Sequence, residues 1–134
     1  MLCRLAVAAS LPLLSACLST APLTCAGGAA PKPVAELVFG RNIGPSLGVS
    51  EAAWRDFVDS EVTPRFPDGF TVLEAHGQWR DGAVIVREPS KVLVIALADE
   101  TRAHAELAAI AESYKARFRQ QSVLTIVRPA CVSF

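Results

Sequence analysis

The segment FTVLEAHGQWRDGAVIVREPSKVLVIAL, residues 70–97, decides how the chain folds. Residues 70–80 read as a strand, with apolar and polar side chains alternating from Leu73 onward as in a half-buried strand. Asp81-Gly82 follows, a pair favoured in tight hairpins because glycine accepts a positive φ. A second strand-like run starts at Ala83 and reaches Leu97, interrupted by Arg87, Glu88, Pro89, Ser90 and Lys91. Proline has no N–H to give to a ladder, so Pro89 is expected to mark a bulge or break. On that reading residues 83–88 form the outer limb of a hairpin with residues 77–80, and residues 91–97 form a central strand. Arg87, Glu88, Ser90 and Lys91 then lie at the mouth of the sheet.

Outward from this hairpin, the pattern is regular on both sides. ELVFGR, residues 36–41, reads as a short first strand followed by a Gly/Pro loop. Ser50 is placed to cap a helix whose Trp54, Phe57, Val58 and Val62 recur on one face, and Pro64 ends it. Asp99 caps a second helix with a stripe of Ala103, Leu107, Ile110, Tyr114 and Phe118. Residues 122–128 read as a fourth strand. The order β-α-β-β-α-β implies an α+β domain of ferredoxin-like topology, a four-stranded antiparallel sheet with two helices on one face. Its other face lacks a cover, so a homodimer through that open sheet face is expected.

The first 17 residues, MLCRLAVAASLPLLSAC, have export-signal architecture: Arg4, an apolar middle and small residues before a cysteine. The apolar run is broken by Pro12 and falls short of the ~20 residues a spanning helix needs. Leu14-Ser15-Ala16-Cys17 resembles a bacterial lipobox, which makes residues 1–17 a signal peptide and Cys17 the lipidation site and membrane anchor. The alternative is an ordinary secretory signal cut further on, for example after Ala26. Leu18, where an aspartate is absent, fits outer-membrane sorting in a Gram-negative host. Residues 18–33, rich in Ser, Thr, Ala, Gly and Pro, read as a flexible tether, leaving residues 34–134 as the domain.

With Cys3 removed and Cys17 acylated, Cys25 and Cys131 remain. An oxidising compartment favours a disulfide between them, pinning the tether to the last strand. The alternative is a buried Cys131 and an exposed Cys25. The 134 residues carry 13 basic and 13 acidic side chains without a basic run, which argues against a nucleic-acid partner.

Several segments in order, ELVFGRNI, EVTPRFPDGFTVLEAHGQWRDG, IVREPSKVL, YKARFRQQSVL and ACVSF, resemble an exported bacterial family catalogued as the domain of unknown function numbered 3574. The resemblance covers nearly everything from Glu36 to Phe134. It implies a small exported domain and no assigned activity.

For chemistry, Arg41, Arg65, Arg87 and Lys91 are the cations from which an anion or ligand site could be built, with His76 and Gln78 nearby. Against it stands the plainer reading in which Arg87 pairs with Glu88 or Asp68 and the charges solvate an edge strand. Ser90 beside Lys91 does not make a hydrolase pair, because adjacent strand residues point to opposite faces. His76 and His104 lack metal-ligand spacing, and no cofactor is implied. Glu74, His76 and Gln78 share one face of their strand, and if that face is the open one it holds either a polar pocket, with Glu74 and His76 sharing a proton, or a wet surface. The expectation is a non-catalytic, lipid-anchored envelope module, with a small enzyme of the dimeric α+β barrel kind as the alternative.

Overall fold

A computed structural model describes residues 22–134. The first described strand is β1 (Ala30–Gly40), followed by α1 (Glu51–Phe57), which continues as a π turn over Val58–Val62. Then come the hairpin of β2 (Thr71–Asp81) and β3 (Val84–Ala96), the long helix α2 (Glu100–Phe118) and β4 (Leu124–Val132). The antiparallel sheet has the order β2-β3-β1-β4, so β3 and β1 are central. This is the ferredoxin-like arrangement expected from the element order. Leu14 and Cys17, and with them the signal and lipidation readings, lie outside the described residues.

Both helices lie on one face because alternate residues of the central strands are apolar there. Ala35, Leu37 and Phe39 of β1 and Leu93 and Ile95 of β3 are buried with Trp54, Phe57 and Val62. The whole expected stripe of α2, from Ala103 to Phe118, is buried against them. Ser50 Oγ accepts the Ala53 N–H at 3.1 Å and starts α1. The π turn after Phe57 widens the helix by a residue, so Val62 enters the core while Glu61 stays at the rim. Phe39 is the hub: its ring centroid is 4.8 Å from Tyr114, 5.2 Å from Trp54 and 6.0 Å from Phe57. The Tyr114 hydroxyl donates to the Gly40 carbonyl at 2.8 Å, and burial raises its pKa.

Two sequence expectations need correction. Pro89 does not break β3, which runs unbroken for 13 residues. Its carbonyl accepts the Arg41 N–H at 3.0 Å, so its missing donor faces Arg41. The Arg41 carbonyl is already taken by the N–H groups of Gly48 and Val49, at 2.9 and 3.0 Å. No acceptor is left wanting, and pairing with β2 passes straight through His76↔Pro89. The same device closes the other end of the β1/β3 ladder, where the Pro33 carbonyl accepts from the Leu97 N–H at 2.8 Å. The second correction concerns residues 30–33, expected in the tether. They are strand, paired with β4 from Ala30↔Val132 to Pro33↔Pro129.

The expected disulfide is present: Cys25 and Cys131 are bonded, with Cα atoms 5.5 Å apart. The expected outer limb is also there, since β1 pairs with β3 only from Ser90 onward while β2 follows β3 back to Val84. Its loop is Gly82-Ala83, with Gly82 at φ +58°. The sheet face away from the helices carries Val38, Val92, Val94, Leu73, Leu124 and Ile126 in adjacent register. Leu73 and Leu124 are 49% and 58% exposed.

Candidate functional site

The polar chemistry gathers where β1 ends and the β2–β3 limb continues alone. Strand alternation divides it between the two sheet faces. Arg87 and Lys91 share parity with the core-facing Leu93, whereas Glu88 and Ser90 share parity with Val92 on the open face. Ser90 and Lys91 therefore point apart, as expected for neighbours on a strand.

On the helix side, Lys91 and Arg41 are 3% and 6% exposed and converge on Glu51 in the first turn of α1. Arg41 Nη1 lies 2.6 Å from Glu51 Oε1 and Lys91 Nζ 2.9 Å from Glu51 Oε2. Lys91 also pairs with Glu74 of β2, and Arg41 Nε donates to the Val49 carbonyl at 3.0 Å. This contact puts Glu74, and so His76 and Gln78, on the helix side of the sheet. Glu74 is engaged by Lys91, which leaves the proposed sharing of a proton with His76 without its partner.

The Lys91 hydrogen bond, helped by the Arg41 charge and opposed by desolvation, holds the Glu51 carboxyl below its ordinary range. Burial would lower the pKa of Lys91, but hydrogen bonds and charge from Glu74 and Glu51 outweigh it and raise the value. Glu51 thus contributes stability that is complete above its ordinary pKa of 4.5 and lost as pH falls through the lowered one. Lys91 contributes stability that is complete below 10.5 and lost as pH rises through its raised value. Urea midpoints measured against pH should show both limbs. Lys91→Met should flatten the alkaline limb and weaken the acid limb; an unchanged profile would show that the network is not coupled to folding.

The cations named from the sequence fall into three groups. Arg41 and Lys91 share Glu51. Arg65 is held elsewhere, 3.0 Å from Glu61 and 3.2 Å from Glu106. Arg87 joins His76 and Gln78 beside a shallow depression of about 380 Å³ next to Pro89. They do not form one anion cleft: an anion would have to displace carboxylates from three of the four. Arg87 pairs with neither Glu88 nor Asp68 among the described residues. His104 is exposed on α2.

On the open face there is a groove of about 560 Å³ that the sequence did not announce. Glu88 lies in it with its carboxylate over Gly40. A Cβ at position 40 would come within 2.6 Å of both carboxylate oxygens, so glycine is required for this approach. Glu88 Oε2 accepts the Asn42 N–H at 3.2 Å and Oε1 accepts the Trp79 indole N–H at 3.1 Å. Asn42 is fixed in turn, because Gln120 Nε2 donates to its carbonyl at 2.6 Å. Gln120 reaches it because Arg119 ends α2 in the left-handed conformation, at φ 52°. Gly77 sits opposite Glu88 on β2, and a Cβ there would lie 3.0 Å from Ser90 Oγ. The available signal was the alternation of Glu88 and Ser90 opposite two glycines, Gly40 and Gly77.

Residues 34–134 match the family described as a protein of unknown function, DUF3574. The chain belongs to it. No curated protein matches. Among solved structures, the DUF3574 domain resembles a phage SAM lyase in complex with S-methyl-5'-thioadenosine, with 15% identity and a TM-score of 0.60. That match covers 84% of this chain and 97% of the lyase. CutA from Synechococcus elongatus matches at 11% identity and a TM-score of 0.50, over 76% of this chain and 79% of CutA. At these identities the likeness shows the shared fold.

Proposed function

We propose that this DUF3574 chain is an exported binding module, held at the cell envelope by lipid on Cys17, whose ligand lies in the Glu88 groove. The groove carries the reading: it is concave, within the size range of small-molecule sites, and lined by an aromatic ring and a fixed carboxylate. Export is supported by the Cys25–Cys131 bridge, since such bonds persist in oxidising compartments. The open apolar face beside the groove fits a second copy of the chain, because exposed patches of this kind mark interaction surfaces.

Lipidation predicts that Cys17→Ser moves the protein out of the membrane fraction or leaves it unprocessed. Metabolic labelling with a palmitate analogue should mark the wild type and not the variant. Equal labelling of the two would sink the anchor.

The second reading is a small enzyme. It draws on the lyase that shares the fold, whose bound molecule is S-methyl-5'-thioadenosine. In this chain Glu88 and Ser90 face the groove together, giving one carboxylate as acid or base whose side chain has, among the described residues, hydrogen bonds to Asn42 and Trp79 alone. Release of S-methyl-5'-thioadenosine from S-adenosylmethionine by the purified chain, abolished by Glu88→Gln, is the result that would favour it.

A further inference from the structure

Glu88 is a carboxylate whose partners are neutral. Both of its oxygens are hydrogen-bonded, one to a backbone N–H and one to an indole N–H, and neither donor carries a charge. Among the described residues no lysine, arginine or histidine forms an ion pair with it. This contrasts with Glu51, Glu61 and Glu74, each of which meets a cation. The negative charge is thus fixed in place and left for something else to neutralise. Gly40 lets the carboxylate lie flat against the end of β1, so its position is built by the backbone.

The walls narrow the ligand class. Trp79 is 42% exposed and turns its N–H edge to Glu88, leaving ring surface for a guest. Val38, Val86 and Leu124 supply apolar wall, and Asp81 adds a second acid. Arg119 is the basic residue of the lining and is exposed, at the end of α2. A carboxylate beside an indole, over aliphatic wall, is the combination that recognises alkylammonium groups: the ring quadrupole attracts the cation and the carboxylate accepts or balances its charge.

We propose that the groove binds a small organic cation, an alkylamine or methylated ammonium, seated on the free face of the Trp79 ring beside the Glu88 carboxylate. This deepens the binding reading and rests on it.

The test uses the full chain in detergent micelles and the indole N–H resonances of its two tryptophans. Choline chloride and putrescine are titrated at constant ionic strength, with uridine and sodium succinate as neutral and anionic probes. The Trp79 resonance should move saturably with a cation, while that of buried Trp54 stays still and reports an intact core. Glu88→Gln should weaken binding about tenfold or more, the usual consequence of losing a charge-assisted contact. Leu124→Arg, on an exposed site, should do the same by bringing a competing cation to Glu88, and it serves if Glu88→Gln does not fold. Saturable movement with uridine or succinate alone would keep a binding groove and overturn the cation. No movement with any of the four probes would overturn both, and cation binding of equal strength in wild type and variants would overturn the role of Glu88.

Discussion

Phe39→Ala should destabilise the domain by about 3 to 5 kcal/mol, the range for truncating a buried aromatic side chain. Phe39 is fully buried and touches three rings, from α1 and from α2, so it joins both helices to the central strand. Its loss leaves a cavity that rigid strands cannot close, and the Tyr114 hydroxyl, bonded to the next residue in β1, loses the ring that holds it in line. Its neighbour Val38 is the control. It points to the open face and is only half-buried, so Val38→Ala should cost about 1 kcal/mol or less. Urea unfolding of both variants checks the expectation. Equal losses would mean that the sheet is not one-sided.

Removing the disulfide should have an effect of similar size. Cys25 and Cys131 are 106 residues apart, and in the loop-entropy account a closure of that length is worth about 4 to 5 kcal/mol. The loss acts mainly on the unfolded chain, so Cys25→Ser, Cys131→Ser and the double variant should be nearly equal. It should also loosen one place in the folded state, the rungs from Ala30↔Val132 to Lys32↔Ala130, where β1 has β4 alone beside it. Amide exchange at Val132 should therefore quicken while exchange at Leu93 follows global unfolding. Mass spectrometry of unreduced protein should find the linked peptide. Free thiols at both positions in protein purified without reductant would remove the bridge.

The helical stripes were legible because their period is local: Ala103 to Phe118 announce a buried face without reference to the rest of the chain. Cysteine counting was equally direct once the expected export signal set two of the four aside. Pro89 was misread because its cost depends on which neighbour its nitrogen faces. That is settled by Arg41 and by the loop that takes the Arg41 carbonyl, features distant in sequence. The cations were listed correctly but not their partners, since Glu51 joins Arg41 and Lys91 across three separate elements. The groove escaped for the same reason: one of the two donors to Glu88 is the backbone of Asn42, and a main-chain group leaves no mark in a sequence. Which face carried His76 followed only from the contact between Glu74 and Lys91.

The bridge also has a mechanical meaning. Residues before Cys25 connect to the sheet at two points at once, through the chain into β1 and through sulfur into β4. A pull from that side is divided between two adjacent antiparallel strands, so their hydrogen bonds are strained together rather than peeled from one end. A domain loaded from that side would keep its own ladder closed.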